Sequence, residues 1–127
     1  MAYVDGFVLV VPKAKRAAYK KMANEGKHMW MKRGALEYME CRLDQAKPKW
    51  TKLTFPTLAK AKKNEDVWFS YIVYKDKKHR DAVNKFIEKD MDEFQKKSSK
   101  SKKEMMAEMP FDMKRMAVGG FAVEVEG

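Results

Sequence analysis

Cysteine, histidine and arginine are all scarce in this chain, and each scarcity removes a class of function. Cys41 is the only cysteine among 127 residues. No internal disulfide can form, which fits a reducing compartment and points to the cytoplasm. His28 and His79 are the only histidines. They lie far from Cys41 and from each other, with no recognisable zinc spacing, so neither a metal nor a cofactor is expected. No stretch approaches the ~18 uninterrupted apolar residues of a membrane span, and no membrane partner is expected. The apolar run Val8–Val11 is too short for a signal peptide and has no basic stretch before it. No Gly-x-Ser-x-Gly elbow supports serine hydrolysis. Gly119-Gly120 lacks the lysine and the following helix of a phosphate loop. Glycines so placed in a strand permit close packing by a bulky neighbour.

Positive charge is abundant, at a formal net +10. Nucleic acid is the first partner such a charge suggests. Only Arg16, Arg33, Arg42, Arg80 and Arg115 among the 28 basic residues are arginine. Base readout and bidentate phosphate contacts favour arginine, whereas a lysine excess reads as a solvated surface. RNA or another polyanion is therefore an alternative partner, without sequence specificity, using Lys96–Lys103 and the basic side of the first helix.

One domain with one core is expected at this length. Residues 2–11 read as a buried strand stopped by Pro12. Residues 13–33 read as a helix with Ala14, Ala18, Met22, Met29 and Trp30 along one side, and Gly34 follows its C-cap. Residues 35–43 read as a half-buried strand at an edge or interface. Residues 44–65 have no clear period, and Trp50 and Phe55 are their two apolar anchors. A connection of that length is functional or docked on something. Residues 66–74 are a strand. Asp76 caps a helix to about 94 whose stripe is Ala82, Val83, Phe86, Ile87, Met91 and Phe94. Lys96–Lys103 reads as a mobile loop. Ser101-Lys-Lys-Glu104 has the capping-box pattern for a short helix to Pro110. Residues 114–125 are the last strand.

The order is β-α-β-β-α-β, an α+β class of the ferredoxin-like pattern of two split βαβ units. It gives a four-stranded antiparallel sheet with the first and third strands central and both helices on one face. Tyr3, Phe7 and Leu9 share one parity of the first strand, and Val4, Val8 and Val10 share the other. A sheet apolar on both faces needs a second cover. A twin copy supplies it, giving a homodimer.

Tyr3-Val-Asp-Gly-Phe7, Gly34-Ala-Leu-Glu-Tyr-Met-Glu-Cys41, Phe69-Ser-Tyr-Ile-Val-Tyr74, Arg80-Asp-Ala-Val-Asn84 and the closing run from Pro110 to Phe121 together resemble the YbaA-like proteins. These are a mainly bacterial family known as domain of unknown function 1428. The resemblance covers essentially the whole chain. It implies a dimeric α+β barrel, in which the sheet of one ferredoxin-like protomer packs on that of its twin, and it implies no reaction. The lysine load departs from the family pattern, so the resemblance implies no common polyanion role.

Several residues carry candidate chemistry. Asp5 lies mid-strand, where an isolated carboxylate costs several kcal/mol to bury. Arg115 on the last strand is its expected partner, with Glu40 competing for the same arginine. The cluster is either a paired charge fixing strand register or the polar mouth of a pocket, with Asp5 or Glu40 as base and Arg115 binding an anion. Arg80 and Asn84 are four apart on one helical face. They present a guanidinium and an amide to a ligand, or tie the helix to a neighbouring loop. His28 is a candidate acid–base group or a surface histidine. Asp112 reads as a turn-former. Cys41 reads as a small core residue. Eleven methionines, five of them between 105 and 116, either fill the core or line an adaptable pocket with Trp30, Trp68 and Tyr71. The expected function is a small-molecule site in an apolar cavity between sheet and helices, for a partly aromatic or anionic molecule. Whether a reaction occurs there stays open.

Overall fold

A computed structural model describes residues 1–127. Four strands form one antiparallel sheet: β1 (Tyr3–Pro12), β2 (Glu37–Arg42), β3 (Glu65–Tyr74) and β4 (Ala117–Ala122). Their order is β2-β3-β1-β4, with the two long strands central. β1 meets β3 over its whole length, from Tyr3 opposite Tyr74 to Pro12 opposite Glu65. Helices α1 (Arg16–Lys32) and α3 (Lys77–Lys97) are the long crossovers, and α2 (Phe55–Ala59) and α4 (Lys102–Ala107) are short. No helix is long and apolar enough to cross a membrane.

Strand parity sorts the sheet into two faces. The register places Asp5 opposite Ile72, Leu9 opposite Trp68 and Asp5 also opposite Gly120, all on the helical face. Leu9, Val11 and Trp68 pack with Tyr19 and Ala23 of α1. Ile72 and Tyr74 pack with Val83 and Ile87 of α3 and with Ala35.

The stripes differ from those expected in sequence. Pro12 is followed by a 3-10 turn at Lys13–Lys15, so α1 begins at Arg16. Ala14 and Ala18 are exposed, and the inward side of α1 is Tyr19, Met22, Ala23, Met29 and Trp30. Tyr19 takes the core position because its ring fills the gap above Trp68, at 4.8 Å between centroids. In α3 only Val83 and Ile87 are buried, while Phe86, Met91 and Phe94 are about half exposed or more. Asp76 caps α3 by accepting from the His79 N–H at 2.7 Å, and Gly34 closes α1 with φ +106°.

The connection between β2 and β3 contains α2, capped by Thr54. Trp50 is 88% exposed and anchors nothing within the chain. The lysine run is more ordered than expected: Lys96 and Lys97 end α3, and Lys102 and Lys103 begin α4 behind the Ser101–Glu104 capping box. The last strand is short, because Asp112 accepts from the Lys114 N–H and starts a 3-10 turn at Met113–Arg115.

The opposite face carries Val4, Val8, Val10, Met39, Val67, Phe69, Tyr71, Val73 and Phe121 by the same parity. The short helix α2 packs against β1 and β3, and Val10 and Val67, paired across those strands, are buried. Elsewhere the face is open, with Phe69 45%, Met39 47% and Phe121 60% exposed. Cys41 shares this face and is exposed, not a core residue.

Candidate functional site

Two polar clusters sit in the apolar layer between sheet and helices. The first is built on Asp5, which is 5% exposed. Its carboxylate accepts from Arg80 Nη1 at 2.8 Å and from Asn84 Nδ2 at 3.4 Å. Arg80 and Asn84 stand one turn apart on α3, which lets both reach the same strand. Trp30 Nε1 and the Tyr74 hydroxyl each donate to Asn84 Oδ1 at 3.3 Å. Arg80 also donates to Asp81 and lies 4.8 Å above the Tyr3 ring. Burial opposes the charge on Arg80, but Asp5 and Asp81 outweigh it and its pKa is raised. Burial raises the Tyr74 pKa, and the Asp5 charge adds to that. Asp5, Arg80, Asn84 and Trp30 border a groove of about 310 Å³ at the β4 edge.

The second cluster is built on Glu40. Its carboxylate accepts from Tyr19 at 2.7 Å, from Tyr38 at 2.9 Å and from Ser70. These hydroxyls come from α1, β2 and β3, and none was singled out by sequence. Tyr38 and Glu40 share a face by strand alternation, the one local signal that joins them. Gly26 makes the contact possible, since a Cβ there would lie 2.8 Å from the Tyr38 hydroxyl oxygen. Burial, then Glu40, raises the Tyr19 and Tyr38 pKa values well above the ordinary 10. One acceptor position on Oε2 remains for a further donor.

Glu40 lies on the wall of a cavity of about 420 Å³. Phe7, Met22, Met29, Trp30, Phe111 and Met116 are among its apolar walls. Met109 and Met113 close it from the chain between α4 and β4. The cavity and the Asp5 groove share Phe7, Trp30 and Met91.

The remaining candidates lie elsewhere. Arg115 is not beside Asp5. The 3-10 turn keeps it off the strand, and it holds Glu65 at 2.6 and 2.9 Å and the Lys60 carbonyl at 2.9 Å. Arg80 occupies the place expected of Arg115, and Glu40 competes for neither arginine. His28 is exposed on α1. Tyr71 is on the sheet face turned away from α1 and α3, beside Phe69. Trp68 is buried beneath Tyr19. Gly120 accommodates the chain's own Tyr3 ring. No group of three or more metal-binding side chains is present.

The fold and these clusters define an α+β protein with one antiparallel sheet and an apolar, tyrosine-lined cavity under its helices. The chain belongs to the family described as "Protein of unknown function (DUF1428)", which it matches over residues 2–113. It is similar to "Uncharacterized protein YbaA" of Escherichia coli (strain K12) and of Shigella flexneri, at 40% identity over 121 residues and 95% of each chain.

Proposed function

We propose that the protein is a cytoplasmic homodimer that binds a small, largely apolar molecule in the cavity between sheet and helices. The observation that carries this reading is the 420 Å³ cavity lined by two carboxylates, the exposed Glu25 and the half-buried Glu40. Its size falls at the lower end of the ~300–1,000 Å³ of ligand pockets. Apolar walls with a few fixed polar groups are what orient such a ligand. Glu40 is fixed by three hydroxyls and has one acceptor position left for a ligand hydroxyl or N–H. Methionines on the walls adapt to the shape of what enters.

Two features support the twin. The sheet face turned away from α1 and α3 keeps Phe69 and Phe121 in water. The arm between β2 and β3 exposes Trp50, Leu53 and Leu58. An apolar face and apolar arm on one protomer suit a self-complementary interface. The lone, exposed Cys41 supports a reducing cytoplasm.

Calorimetric titration with decanol tests the cavity. Saturable one-site binding, weakened when Ala23→Leu narrows the cavity wall, is expected. No heat of binding, or an affinity indifferent to Ala23→Leu, would remove the reading.

A further inference from the structure

The apolar cavity borders a second space of opposite character. Ala23, Tyr38 and Glu40 line both it and a groove of about 580 Å³ between α1 and the β2 edge. The groove adds Arg16, Lys20 and Lys27 along one side of α1, and Arg42 from β2. Arg16 is spent on Asp66, through bonds of 2.8 and 3.0 Å. Lys20, Lys27 and Arg42 form no ion pair. Three free cations thus face one carboxylate, and that carboxylate already takes three hydroxyl donors. The groove is cationic where the cavity is greasy.

We infer that the ligand is an amphipathic carboxylate, its apolar body in the cavity and its anionic end in the groove among Lys20, Lys27 and Arg42. This rests on the cavity being a binding site. A guanidinium and two ammonium groups supply charge-assisted hydrogen bonds to a carboxylate, and the apolar body contributes by burial. Glu40 lines both spaces, already takes three hydroxyl donors and is best placed for a polar group midway along the ligand.

The test compares decanoate, decanol and acetate by calorimetric titration against the full chain. Decanoate is expected to bind about tenfold more tightly than decanol, through its charge-assisted contacts, and acetate not to bind. Lys27→Gln with Arg42→Gln should bring decanoate down to the affinity of decanol, with the far-ultraviolet spectrum unchanged. Equal affinity of decanoate and decanol in the natural chain would overturn the inference while leaving the cavity as a site. No binding of either would remove both. A decanoate preference that survives the double substitution, or a groove that takes an oligonucleotide and shows no such preference, would likewise overturn it.

Discussion

Arg80 on α3 donates to Asp5 on β1 at 2.8 Å, and so bolts the second long helix to the centre of the sheet. The two partners are unequally covered: the Arg80 side chain is 20% exposed and that of Asp5 only 7%. Arg80 also has Asp81. Removing one partner of a buried pair leaves the other uncompensated, and the cost is larger for the more buried survivor.

The substitutions at this pair should therefore rank in a definite order. Arg80→Ala strands the Asp5 carboxylate and should cost about 3–5 kcal/mol. Asp5→Ala should cost less, because Arg80 keeps Asp81 and reaches water. The double substitution Asp5→Leu with Arg80→Met should recover much of the Arg80→Ala loss, since apolar isosteres replace buried pairs well. Urea denaturation of the three variants checks this. A larger loss for Asp5→Ala, or a double variant no more stable than Arg80→Ala, would contradict the pairing.

Gly26 lies inside α1, where glycine ordinarily costs about 1 kcal/mol relative to alanine. Gly26→Ala would gain that propensity but place a Cβ 2.8 Å from the Tyr38 hydroxyl oxygen. The hydroxyl would have to leave Glu40, and a lost buried hydrogen bond costs about 1–3 kcal/mol. No net gain in stability is expected, together with altered decanol affinity. Stabilisation by the full glycine-to-alanine increment would show that Tyr38 moves aside freely.

How the sequence anticipates these clusters differs between them. Asp5 stands out because a charge in an apolar strand is conspicuous, and Arg80 and Asn84 stand out because four residues bring them to one helical face. The pairing itself was hidden: Arg115 looks like a strand residue until Asp112 starts a three-residue turn that redirects it to Glu65. The strand order follows from the alternation of strands and helices and from crossover handedness. The Glu40 cluster depends on hydroxyls from three separate elements and on a glycine in a facing helix. No local pattern encodes that meeting. Trp50 shows the complementary error, since an aromatic in an irregular segment reads as an anchor whether or not its docking surface belongs to the same chain.

Acid should weaken the fastening between the last turn and β3. The hydrogen bonds from Arg115 pull the Glu65 carboxyl down to about 2 from its ordinary 4.5, burial opposing and the Lys62 N–H assisting. A depressed folded-state pKa means stability fully present above 4.5 and lost as pH falls through about 2. Solvent near the pair screens it, so the contribution is on the order of 1 kcal/mol. Denaturation midpoints of the natural chain and of Glu65→Gln, compared at about pH 5 and about pH 2.5, measure this linkage. The fall between the two pH values should be smaller in Glu65→Gln. An equal fall would place the acid-sensitive groups elsewhere.

The sheet face turned away from α1 and α3 makes the sharpest demand on assembly. Phe69, on the central strand β3, is 45% exposed there, beside Tyr71 at 5.9 Å between ring centroids. If a twin covers the face, Phe69→Asp buries an unpaired carboxylate at the interface, at a cost of several kcal/mol per protomer. The natural chain should then sediment at twice its 14.9 kDa, and Phe69→Asp at the protomer mass. Phe94→Asp is the control, since Phe94 is 65% exposed on α3 and lies off that face. It should leave the assembly intact. A natural chain that sediments at 14.9 kDa at micromolar concentration would leave Phe69 and Phe121 in water and end the dimer proposal. Loss of assembly in Phe94→Asp alone would move the interface to the helical side, against the sheet-to-sheet arrangement proposed.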